Sequence, residues 1–181
     1  MRFLLIISML FWFITASFAK DSNNLTHQNL IELQRLNPDQ RIIMNKTFMK
    51  AKEFDLQLTM TAIAWHESHF GELAVNFHDP SCGVFHIYLP DINKRMHRKD
   101  NFWNRNKICT KLVQDYDFGF TQALGRLKFW ENYWKSKGYS GSEVWRRMVM
   151  SYNGGTNYKK GKKYYKHIVA KIRALKLYGY K

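Results

Sequence analysis

The stretch DLQLTMTAIAWHESHFGELAVNFHDPSCGVFHI, from Asp55 to Ile87, decides how the chain is read. Its first part, Asp55–His66, is apolar on nearly all sides except at Gln57, Thr59 and Thr61, which predicts the buried central helix of a helical domain. Leu56, Met60, Ile63 and Glu67 follow helical steps and share one stripe. Glu67 thus continues an apolar line at the helix end. A carboxyl among apolar groups loses hydration, its charged form is disfavoured and its pKa should rise, which is what a general acid needs near neutral pH. The competing reading is a frayed end with Glu67 swung into water, the usual place for a glutamate.

Helical spacing extends on both sides. Leu25, Leu30, Leu33 and Leu36 predict a first helix ending before Asn37-Pro38, and Ile42, Ile43, Met49 and Phe54 a second. Residues 70–110 lose periodicity and hold Gly71, Pro80, Gly83 and Pro90, which predicts loops with a short hairpin. Order returns at Asp117, with Phe120, Ala123, Leu124, Leu127, Glu131 and Trp134 in register. Ser140 and Glu143 have capping-box spacing before a helix through Trp145, Met148 and Val149. The last helix carries Tyr165, Ile168, Val169, Ile172 and Leu175 and stops at Gly179. The expected class is mainly α, with an irregular or short β region around residues 70–110.

The 181 residues suit one domain, and with 45% hydrophobic and 16% aromatic residues a packed core is within reach. Arg2, the apolar run Phe3–Phe18 and Ser17-Phe18-Ala19 form the pattern of a signal peptide cut before Lys20, leaving residues 20–181 as the domain. The alternative is retention as an anchor through residues 3–18, although 16 residues fall short of the ~20 that span a bilayer comfortably. Both readings place the domain outside the cytoplasm, in the periplasm or beyond. There Cys82 and Cys109 could pair.

The segment Ala62–Ile87, with MSYNGG at Met150–Gly155, resembles the lysozyme-like lytic transglycosylases and goose-type lysozymes, which share one fold. Their pattern is an apolar helix ending in Glu-Ser, a Gly-Leu-Met-Gln-type turn, and Tyr-Asn-Gly-Gly or Tyr-Asn-Ala-Gly after a later helix. Glu67-Ser68 matches the first, Gly83-Val84-Phe85-His86 the second loosely, and Tyr152-Asn153-Gly154-Gly155 the third. The resemblance covers roughly Leu58 to the C-terminus.

It implies cleavage of the peptidoglycan glycan strand between N-acetylmuramic acid and N-acetylglucosamine, without cofactor or metal. Glu67 would protonate the leaving oxygen and Ser68 would support the acid and the groove floor. Gly83 would let backbone approach the sugar, with Phe85 beside it. Tyr152 would offer a hydroxyl to acid or substrate, and Asn153 an amide to the N-acetyl group. His86 stands where the family usually has Gln, which adds a group that titrates near neutrality. Asp79, twelve residues after Glu67, lies close to where goose-type lysozymes place an assisting aspartate, yet before Pro80 it also reads as a turn former. Glu72 and Asp91 are remoter candidates. The product, a reducing end or a 1,6-anhydro end, stays open.

The formal charge is +15, with 29 Lys+Arg against 14 Asp+Glu. Asn93–Lys107 holds six Lys/Arg and one acid, with Phe102 and Trp103 among them, and eleven Lys/Arg follow Glu143 with no acid. Such a balance predicts an anionic partner, here cell-wall carboxylates or anionic lipid met through the basic C-terminal region. A non-enzymatic cationic membrane- or nucleic-acid-binding secreted protein is the alternative. The export signal and the lack of a nucleic-acid fold motif weigh against specific nucleic acid. His66, His69, His78, His86 and His97 lack a tight metal-ligand frame. A monomer is expected, in wall remodelling, secretion-system assembly or, by its small size, phage-type lysis as an endolysin.

Overall fold

A computed structural model describes residues 24–76 and 78–181; the expected address at residues 1–19 lies outside them. The described chain is mainly helical. In order it forms α1 over residues 24–34, α2 (Pro38–Ala51), a 3₁₀ turn (Lys52–Phe54) and α3 (Gln57–Ser68). Then come three short strands, β1 (Val75–Asn76), β2 (Ser81–Cys82) and β3 (Ile87–Tyr88). The helices α4 (Leu89–Arg95), α5 (Phe102–Gln114), α6 (Tyr116–Ser136) and α7 (Gly141–Gly154) follow, then a second 3₁₀ turn (Tyr158–Gly161) and α8 (Lys162–Tyr178). Among the described residues no helix is long and apolar enough to cross a membrane.

As its composition requires, α3 is the centre. Met60, Ala62, Ile63, Ala64 and Trp65 are fully buried on all its sides, and both α2 and α8 pack on it. It starts at Gln57 rather than Asp55, because Asp55 takes a left-handed conformation (φ 55°) that turns the chain out of the 3₁₀ segment. The first turn of α2 is fixed by a reciprocal cap: Asn37 Oδ1 accepts from Gln40 N (2.9 Å) and Gln40 Oε1 from Asn37 N (2.8 Å).

Several expectations need correcting. The inward face of α2 is Gln40, Met44, Thr47, Phe48 and Ala51, while Ile42 and Met49 are 62% and 64% exposed. Thr47 turns inward because its hydroxyl is satisfied on both sides, donating to Ile43 O and accepting from Tyr116. Residues 70–110 are not merely loops. They contain α4 and most of α5, whose signals are weak because α4 has seven residues and α5 buries only Ile108 and Leu112. The hairpin is instead a three-stranded antiparallel sheet, with Val75 opposite Cys82 and Cys82 opposite Ile87.

The capping box at Ser140 does not form. Its side chain makes no cap bond, and Glu143 is drawn off by Arg146 (2.8 Å) and Arg147 (2.6 Å). On α8 the buried stripe is Tyr164, Ile168, Lys171 and Leu175, rotated from the expected one, and Gly179 (φ 112°) ends the helix as expected. On α6, Glu131 stays at the surface between Lys128 and Lys135.

Cys82 on β2 and Cys109 on α5 are bonded, with Cα atoms 5.3 Å apart across 27 residues. The bond pins the sheet to the helix behind it. Closing a loop of that size restrains the unfolded chain, so Cys82→Ser/Cys109→Ser should lose about 3–4 kcal/mol, read as a lower denaturant midpoint. An unchanged midpoint would contradict this role.

Candidate active site

Glu67 occupies the last turn of α3, one residue before the helix ends through three successive positive-φ residues, His69 (φ 50°), Phe70 (φ 59°) and Gly71 (φ 95°). Two of them carry side chains, a conformation L-residues resist. Burial of the Phe70 ring, stacked 6.0 Å from Trp65, offsets that cost. The reversal brings the strand region under the acid.

Ser68 is completely buried and joins these parts. Its hydroxyl donates to Val84 O (2.7 Å) and accepts from Gly71 N (2.8 Å), tying the acid's helix to the Gly83–His86 turn. Gly83 (φ 81°) is required by packing. A Cβ there would sit 2.7 Å from Leu112 O, so the α5 backbone comes close on that side. Phe85 is fully buried beside Phe120 and Tyr116 and contributes its carbonyl, which accepts from Tyr152 Oη (3.0 Å).

Tyr152 is therefore a strut, and its hydroxyl does not reach the acid. The hydroxyl on Glu67 belongs to Tyr164 of α8, donating to Oε1 at 2.7 Å. Burial pushes the Tyr164 phenol well above its ordinary range, so it stays a donor. The sequence did carry a signal for it: Tyr164, Ile168, Lys171 and Leu175 repeat at steps of four, three and four.

The Glu67 side chain is 16% exposed, at the floor of a groove of about 390 Å³. Asn76, Asp79, Ser81 and Tyr88 line the sheet side of that groove, and Asn153, exposed in the last turn of α7, lines its rim. Loss of hydration on burial raises the Glu67 pKa from 4.5 to about 7. The hydrogen bond from Tyr164 and the charge of Arg126 pull it down, while the charge of Asp79 pushes it up. Asp79 accepts from Ser81 Oγ at 2.5 Å, so it is both turn former and groove carboxylate.

His86 stands beside the acid. Its Nε2 lies 2.6 Å from Leu73 O, and because a carbonyl can only accept, Nε2 carries the hydrogen. In the neutral ring the Nδ1 lone pair then faces Glu67 Oε2, 3.6 Å away. The remoter carboxylates are engaged elsewhere, Glu72 by Gln40 (2.9 Å) and Asp91 by Arg126 (3.4 Å).

The neighbouring face of α3 carries a separate polar cluster. Glu32 accepts from His69 (2.9 Å) and from Lys171 (3.2 Å), which hold its pKa down at about 2. Lys171 of α8 is buried over the Trp65 ring, 3.7 Å from its centroid, and burial lowers its pKa to about 8. His66 packs on Tyr164 and His167, and burial with the Lys171 charge lowers it to about 4. Among the described residues no group of three or more His, Cys, Asp or Glu is placed to hold a metal ion. No family model, curated protein or solved structure matches the chain.

A raised carboxyl pKa has a stability signature. Between about pH 4.5 and pH 7 the folded protein keeps a proton that the unfolded chain releases, so stability falls as pH rises through that window and is level above it. Glu67→Gln cannot ionise and escapes the loss. Relative to the wild type it should gain on the order of 2–3 kcal/mol between pH 4 and pH 8 in denaturant unfolding. Parallel stability curves would place the carboxyl in water.

Proposed function

We propose that the groove binds a peptidoglycan glycan strand and that the protein cleaves the β-1,4 bond between N-acetylmuramic acid and N-acetylglucosamine, with Glu67 as general acid. The observation that carries this reading is a carboxyl with pKa about 7, fixed by one phenol at the floor of a polar groove. It keeps a proton in neutral water, and its geometry is set before substrate arrives. A lysozyme-like fold is proposed with it, as the Glu67-Ser68 and Tyr152–Gly155 motifs suggest.

Bond cleavage leaves an oxocarbenium-like centre as Glu67 passes its proton to the departing glycosidic oxygen. The resulting carboxylate then takes a proton back. If it comes from water, water adds to the sugar and the product is a reducing end. If it comes from the sugar's own 6-hydroxyl, a 1,6-anhydro ring closes. Asp79 favours the first route, as a second carboxylate in the same groove that can orient a water or balance positive charge. Asn153, at the rim, suits the N-acetyl group. The excess of Lys and Arg suits a substrate bearing carboxylates and an exported setting such as wall remodelling or lysis.

Glu67→Gln should clear purified sacculi about 10²–10⁴-fold more slowly than the wild type, with its helical spectrum unchanged. The wild-type rate should fall as pH rises through about 7, where the acid loses its proton. Mass spectrometry of the digest separates reducing from anhydro ends. Clearing at the wild-type pace by Glu67→Gln would overturn the assignment, and intact glycan would favour a non-enzymatic cationic binder.

A further inference from the structure

A second cavity, of about 350 Å³, lies beside the groove, and Arg126 lines both. Its floor is apolar, formed by Ile87, Phe129 and Trp130, and Phe129 is 60% exposed to it and to solvent. Lys94 and Arg95 of α4 line it as well. No side chain intrudes at Gly125 or Gly155, where an added Cβ would meet nothing within 4 Å.

Asp91 is the acid that lines the cavity, and it is held across the gap by Arg126 at 3.4 Å. That pairing leaves Lys94 and Arg95, one turn further along the same helix, without an ion pair among the described residues. An apolar floor beneath unpaired cations suits a ligand with small apolar groups and carboxylates.

We infer that this cavity is a subsite for the carboxylate-bearing peptide stem of the muramyl sugar. The inference rests on the proposed cleavage, since the stem branches from the same sugar whose bond lies over Glu67. Where the lactyl carboxyl is amide-linked to a stem, the glycan itself is uncharged and gives Lys94 and Arg95 nothing to pair with. The stem carries free carboxylates beside alanine methyl groups. Stem-bearing strands are therefore the preferred substrate, and the preference is local to α4 and α6.

The test measures binding of two glycan preparations to full-length Glu67→Gln protein by calorimetry at fixed salt: one stem-bearing, the other enzymatically stripped of stems with the freed lactyl carboxylates capped as methylamides. The stem-bearing strand should bind about tenfold more tightly, and Lys94→Ala/Arg95→Ala, at exposed positions, should erase that margin without weakening the stripped strand. Phe129→Ala should narrow it too. Lys159→Ala/Lys160→Ala, exposed cations elsewhere, should preserve it. Equal binding of the two strands, or a margin untouched by Lys94→Ala/Arg95→Ala or equally reduced by Lys159→Ala/Lys160→Ala, would overturn the subsite. Wild-type protein that leaves both strands uncut while the margin depends on Lys94 and Arg95 would refute the cleavage and spare the subsite.

Discussion

The Glu67 carboxyl is buried with a single hydrogen-bond donor, and the rest of the site is arranged around that balance. Burial removes water from the ionised form, and one phenol from Tyr164 restores only part of what was lost. A close guanidinium would tip the group into a permanent anion. Arg126 is near enough to pull on it, but its Nη1 lies 3.4 Å from Asp91. Asp79 pushes the other way. The carboxyl is left poised near neutrality, where it can give up a proton and take one back.

That balance is only as good as the frame holding the two oxygens. Ser68 binds the end of α3 to the Gly83–His86 turn, and the Cys82–Cys109 bond fastens the adjacent strand to α5. Tyr152 closes the frame from α7 onto Phe85 O. Tyr164 is positioned by glycine. A Cβ on Gly161 would fall 2.0 Å from Met150 O, and one on Gly154 would fall 2.9 Å from Gly161 N, so the end of α7 and the start of α8 touch backbone to backbone. Three residues later α8 delivers the phenol to Glu67. The Gly154-Gly161 contact thus belongs to the acid's environment although neither residue lines the groove.

The helical class, the buried centre and the apolar stripe leading to Glu67 were all legible, because a helix hydrophobic on every side has few alternatives to being a core. The cysteine pairing and the stop at Gly179 were legible for similarly local reasons. The faces of α2 and α8 were misjudged by a residue or two. Satisfied polar groups, Gln40 and Thr47 on α2 and Lys171 on α8, sit inward there, and hydropathy counts them as outward. α4 and α5 were missed because they bury too little to leave a period. The phenol was assigned to Tyr152 rather than Tyr164 because the deciding contact spans 97 residues, a relation that only the packing of α8 on α3 creates. Arg126 lay in a helix read for its apolar stripe, and its reach into the groove is likewise a tertiary fact.

The most direct measurement is a site-specific titration of the Glu67 side-chain carboxyl by ¹³C NMR, with the resonance assigned by its loss in Glu67→Gln. A midpoint near pH 7 is expected, moving upward in Tyr164→Phe as the one hydrogen bond to the anion disappears. A midpoint at the ordinary glutamate value of 4.5, insensitive to Tyr164, would contradict a neutral acid buried at the groove floor.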